Sequence, residues 1–104
     1  MAAFNTVRAR RLVRCPRCSD AGTINLQFAY GDTWQYQYEL GDLLRWGGND
    51  VGIRSESARV LAFPEPCPVC GRDIEGEYVL EIEGGRLAGH RLATARDVEE
   101  LQGE

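Results

Sequence analysis

The cysteine spacing constrains this chain more than any other feature. All four cysteines fall in two C-x-x-C pairs, Cys15-Pro16-Arg17-Cys18 and Cys67-Pro68-Val69-Cys70, the second followed by Gly71. Two residues between thiolates let one tight turn present both sulfurs to a single ion, with backbone N–H groups aimed at them to offset their charge. Two such turns brought together complete a tetrahedral four-thiolate site. Proline after the first cysteine of each pair fixes that turn's φ, and Gly71 can take the left-handed conformation that lets the chain leave the knuckle. Whatever the fold, it must therefore bring the neighbourhood of residue 15 to that of residue 70. Arg17, inside the first knuckle, is expected to stand near a site whose four thiolates outnumber the charges of a divalent metal by two.

Other uses of paired cysteines fit less well. A disulfide within C-x-x-C closes too small a loop to stabilise much, and the N-terminus is arginine-rich without the apolar stretch and small-residue cleavage site of a signal peptide, which points to the cytoplasm. A thioredoxin-like redox pair sits singly at a helix start after a strand, whereas here there are two pairs, each followed by turn residues. The expectation is structural zinc held by Cys15, Cys18, Cys67 and Cys70, with iron as the alternative, because tetrahedral thiolate sites accept either. A closed four-thiolate site leaves no position for water or substrate, so its metal contributes to folding and not to catalysis.

The knuckles C-P-R-C and C-P-V-C-G, each at the start of a hairpin in a strand-rich small chain, resemble those of the zinc ribbon families. Rubredoxins share such knuckles, but this chain is longer than is usual for them, its spacing is wider, and Ser19 stands where glycine is expected. The segment from Leu26 to Gly52, with Tyr-Gly-Asp-Thr-Trp-Gln and Arg-Trp-Gly-Gly-Asn-Asp, is similar to a bacterial zinc-ribbon family with no assigned activity, so the resemblance implies a fold and a metal but no reaction.

Length sets the frame for this site. The 104 residues have room for one domain, 1–104, and 43% hydrophobic with 27% charged residues is an ordinary globular composition. A core of that size is modest, which makes a metal crosslink useful. No apolar run approaches the ~20 residues of a membrane span.

The periodicity is mostly two, predicting a mainly β fold with antiparallel hairpins. Residues 7–14 read as a partly exposed strand leading to Cys15. Ile24, Leu26, Phe28 and Tyr30 alternate with polar or small residues, as do Trp34, Tyr36, Tyr38 and Leu40. If these two strands pair, a two-residue Gly31-Asp32 turn would put their apolar sets on opposite faces, so an odd connection or a bulge is required. Leu26, Phe28, Trp34, Tyr36 and Tyr38 are the expected core or core edge. Residues 41–52 read as a strand end and an ordered loop, and Ala58–Phe63 as the strand delivering the chain to the second knuckle. Gly84-Gly85 fits a two-residue hairpin pairing Ile82 with Leu87. Thr94-Ala95-Arg96-Asp97 resembles a capping box, opening one short C-terminal helix from Ala95 to about Gln102.

Charge is uneven. Residues 1–17 carry Arg8, Arg10, Arg11, Arg14 and Arg17 and no acid, while the segment from Asp73 to Glu104 holds nine acids and three arginines. The simplest expectation is that the basic first strand pairs with, or lies near, the strand bearing Glu77, Glu81 and Glu83. The other is a phosphate-binding footprint.

No nucleophile motif or phosphate loop is present: Gly47-Gly48-Asn49-Asp50 lacks the lysine and the helix that should follow. His90 has no expected metal role beside four thiolates. Nothing implies a small-molecule substrate or an enzyme. The expectation is a protein- or nucleic-acid-interaction module, with a rubredoxin-like iron electron carrier as the alternative. Arg8, Arg10, Arg11, Arg45 and Trp46 are the candidate partner-binding residues, although a tryptophan plugging the end of the sheet is the simpler reading of Trp46.

Overall fold

In the first strand, β1 (Asn5–Arg10), Asn5, Val7 and Ala9 are buried while Arg8 and Arg10 are exposed, the alternation a half-buried strand requires. This computed structural model describes residues 4–19, 22–74 and 76–102. β2 (Thr23–Phe28) buries Ile24, Leu26 and Phe28 and pairs antiparallel with β1, placing Val7 opposite Leu26 and Ala9 opposite Ile24. Both apolar rows thus share one face. β3 (Gly31–Asp32) and β5 (Asp50–Val51) form a small two-stranded ribbon, and β4 (Gln37–Glu39) runs parallel to β1 on its other side. β6 (Ser57–Pro64), β7 (Tyr78–Glu83) and β8 (Arg86–Leu92) form an antiparallel meander, followed by α1 (Ala95–Gln102).

The main sheet has the order β4-β1-β2-β6-β7-β8. It curls until its two edges meet: the chain leaving β4 donates Gly41 N–H to the Leu87 carbonyl (2.7 Å) and Leu44 N–H to that of Gly85 (3.0 Å), while Leu87 N–H reaches the Asp42 carbonyl (3.0 Å). Inside lie Val7, Leu26, Phe28, Leu80, Ile82 and Leu87, with Tyr38 and Tyr78. The seam between the halves is narrow, because β2 meets β6 through only Leu26↔Pro64 and Gln27↔Phe63. Among the described residues, no helix is long and apolar enough to cross a membrane.

Several expectations hold. The Gly84-Gly85 turn pairs Glu83 with Arg86 and Ile82 with Leu87, with both glycines left-handed (φ 61° and 75°) as a primed turn demands. Beyond it the register shifts, Glu81 facing Gly89, so Ala88 is an extra residue that sets His90 opposite Leu80. The helix spans Ala95–Gln102, and Asp97 and Thr94 exchange hydrogen bonds as a capping box does: Asp97 N–H reaches Thr94 Oγ1 (3.2 Å) and Thr94 N–H reaches Asp97 Oδ2 (2.8 Å).

Three expectations are corrected. The two aromatic-rich segments do not form a hairpin, because β1 enters between them and takes β2 on one side and β4 on the other. Tyr38 still meets Phe28 in the core, with ring centres 6.0 Å apart, but left-handed Gln35 (φ 59°) breaks the alternation between Trp34 and Tyr36. Tyr38 is therefore buried and Tyr36 half-buried, but Trp34 is 64% exposed and lies outside the core. The basic strand does not pair with the acidic one. Arg8 stands opposite Asn25 and Glu39, whereas Glu81 and Glu83 of β7 face Arg59 and Ser57 on β6, and Glu83 faces Arg86 on β8. Lastly, the first strand runs from Asn5 to Arg10 rather than over 7–14.

The 30–36 turn is held by an unexpected residue. Asn5 is fully buried, donates to the Tyr30 and Asp32 carbonyls, and accepts Trp34 and Tyr36 N–H on Oδ1. One side chain thus satisfies four backbone groups around left-handed Gln35.

Candidate metal centre

The first knuckle lies between β1 and β2, the second between β6 and β7. Each closes with the same contact: Ser19 N–H donates to the Cys15 carbonyl and Gly71 N–H to that of Cys67, both at 2.8 Å. The residue following each second cysteine is left-handed, Ser19 at φ 62° and Gly71 at φ 75°, so the two turns are near copies although only one has the glycine such a turn favours.

Curling of the sheet brings the knuckles together. The four sulfurs of Cys15, Cys18, Cys67 and Cys70 all lie within 4.8 Å of one another, with Cys15–Cys70 and Cys18–Cys67 at 3.7 Å. A tetrahedral ion with metal–sulfur bonds of ~2.3 Å requires sulfurs ~3.8 Å apart, a spacing that the Cys15–Cys70 and Cys18–Cys67 pairs match. Cys15 and Cys67 are buried; Cys18 and Cys70 are half-buried. Among the described residues this is the one cluster of metal-ligand type. It contains no histidine: His90 instead places Nε2 2.8 Å from the Arg10 carbonyl and stacks beside Tyr78.

Electrostatics favour thiolates here. The Cys70 backbone N–H is the largest influence holding the Cys67 thiol down to about 6, from an ordinary 9.0, with the Val69 N–H and Arg11 adding to it against the cost of burial. The N–H groups of Cys18 and Arg17 lower Cys15 in the same way. Arg11 carries the specific charge. Its side chain is 5% exposed and Nη1 donates to Cys67 Sγ at 3.1 Å, a charge-assisted bond to a metal ligand.

Arg17, the arginine expected near the site, has an exposed side chain and serves Cys15 through its backbone N–H. The sequence did hold a signal for Arg11: it continues the inward alternation of Asn5, Val7 and Ala9, where an arginine needs a partner.

The five candidate partner-binding residues do not converge on one site. Arg8 and Arg10 project from the exposed face of β1, and Arg11 turns to the sulfurs. Arg45 lies with its guanidinium carbon 4.5 Å from the centre of the Tyr36 ring, while Trp46 is half-buried edge-on to Tyr30 at 5.2 Å. The loop carrying the last two is tightly built: Asp32 Oδ1 accepts Asn49 N–H (2.8 Å), Asp50 Oδ1 accepts Gly47 N–H (2.9 Å), and Tyr30 donates to the Ile53 carbonyl (2.6 Å). A Cβ on Gly48 or Gly52 would sit 2.7 Å from Asp32 or Tyr30, which explains the small residues there.

No family model and no solved structure matches the chain. A segment of 45 residues, 40% of this chain, is 48% identical to part of a protein named DNA ligase from Marinomonas sp., of which it spans 7%.

Proposed function

We propose that this protein is a small zinc-binding module whose metal is structural and which acts by binding a macromolecule, protein or nucleic acid, rather than by catalysis. The observation carrying this reading is the cluster of four cysteine sulfurs, all within 4.8 Å of one another. With every ligand position filled by a thiolate, the metal lacks the open position that hydrolytic and Lewis-acid chemistry needs, and its binding energy goes into folding. Zinc is the ion favoured by that closed four-thiolate donor set. The partial likeness to a protein named DNA ligase is compatible with a nucleic-acid partner.

Metal content per chain and the visible spectrum of untagged protein test this reading. One equivalent of zinc in a colourless sample is the expected result. One equivalent of iron with thiolate-to-metal absorption would replace it with electron transfer, and metal-free protein with oxidised cysteines would remove its foundation.

A further inference from the structure

On the outward face of β1 the alternation places Phe4, Thr6, Arg8 and Arg10 in one row, at steps of about 6.6 Å. Across the sheet, Thr6 stands opposite Gln27 and Gln27 opposite Phe63, so a second exposed ring lies two strands away. Phe4 is 37% and Phe63 44% exposed. Neither guanidinium, of Arg8 or of Arg10, makes an ion pair or hydrogen bond among the described residues, although the Arg10 carbonyl lies 2.8 Å from His90 Nε2. Arg8 stands opposite Asn25 on one side and Glu39 on the other; of the other carboxylates on this face, Asp42, which lines a cavity with Arg8, accepts Glu39 N–H at 2.8 Å, and Glu65 accepts a hydrogen bond from Gln27 at 3.1 Å.

We propose that this face binds single-stranded nucleic acid, with phosphates on Arg8 and Arg10 and bases stacked on Phe63 and Phe4. The inference rests on the reading of the protein as an interaction module and gives that module its surface and its partner. Guanidinium groups repeating along an extended strand can track a phosphate backbone drawn out beside it, while phenylalanine offers only a flat apolar surface. An acidic protein would satisfy the arginines and leave the rings uncovered. A duplex would do the same, because its base faces are already stacked. Unpaired bases use both features, and the amides of Asn25 and Gln27 lie between them as donors and acceptors for base edges.

Fluorescence anisotropy of metal-loaded protein with labelled oligo(dT) and oligo(U), each of about a dozen nucleotides, tests this. Two phosphate contacts on a single strand predict roughly sevenfold weaker binding between 50 and 200 mM salt. The Arg8→Ala/Arg10→Ala double variant should lose that salt dependence, and Phe63→Ala should bind about tenfold more weakly. Arg54→Ala, an exposed arginine on another loop, should bind as the parent does. Each variant is first checked for its metal equivalent and circular dichroism. No binding at 50 mM salt, equal losses in the Arg54 variant, or oligoglutamate or duplex binding that matches the single strands and ignores Phe63→Ala would overturn the proposal. A parent protein without zinc would instead overturn the structural-zinc reading, whichever way the oligonucleotides bind.

Discussion

Ser19 and Gly71 hold equivalent places in the two knuckles with nearly the same φ, so they form an internal comparison of side chains in one conformation. A residue with a Cβ loses roughly 1–2 kcal/mol in the left-handed region, against a smaller entropic loss for glycine on folding. Ser19→Gly should therefore stabilise the metal-loaded protein by about 0.5 kcal/mol, read from the denaturation midpoint. Gly71→Ala should destabilise it by about 1 kcal/mol, and since nothing lies within 4 Å of a Cβ there, that cost is conformational rather than steric. Arg11 offers a different test. Arg11→Met keeps the packing volume but leaves the Cys67 thiolate without its cation, so metal affinity in a chelator competition should fall by about 10- to 100-fold, with Arg11→Lys recovering part of the loss. Acid acts on the same group. Cys67 is held down to about 6 in the folded protein against 9.0 ordinarily, so the folded state prefers the thiolate. That contribution is complete above pH 9 and is lost as pH falls through 6; protons competing with metal act in the same direction. A denaturation midpoint that stayed flat or rose between pH 9 and 5.5 would contradict it.

At the scale of elements, local chemistry decides ends and turns while neighbours decide pairing. The helix begins where Thr94 caps it, and Arg91 grips Asp97 with two hydrogen bonds of 2.6 and 3.0 Å. Thr94→Ala should cost about 1 kcal/mol and reduce the helical signal first, as measured by far-ultraviolet circular dichroism on heating. Arg91 holds the Asp97 carboxyl well below the usual carboxylate range, so this clasp persists at neutral pH and loosens only in strong acid. The Gly84-Gly85 hairpin was legible because its two glycines admit a single short turn. The 24–40 region was not, because alternation says which face a strand buries but not which strand lies beside it, and because left-handed Gln35 interrupts the alternation between Trp34 and Tyr36.

For the molecule as a whole, the four-cysteine cluster joins the two halves of the sheet, which meet along the narrow β2–β6 seam. β1 and β2 carry one knuckle, β6 and β7 the other, and the two halves share only two residue pairs along the β2–β6 seam. Removing the ion leaves four thiolates to repel one another across that seam, so a chelator should abolish near-ultraviolet dichroism and hydrogen-exchange protection in β2 and β6 together rather than loosen a local loop. Retention of protection in β2 after complete metal removal would show that the apolar core suffices alone. The sequence by itself determined the four-cysteine cluster, the β class, the terminal hairpin and the helix with its cap. Each of these depends on spacing within a few residues, where backbone geometry leaves few alternatives. Only the tertiary structure decided that β1 separates the two aromatic segments, that Trp34 stays outside while Asn5 goes in, and that Arg11 rather than Arg17 offers its guanidinium to a thiolate. Those outcomes depend on which distant strands share a ladder once the sheet curls closed, and an alternating pattern is compatible with several answers until packing selects one.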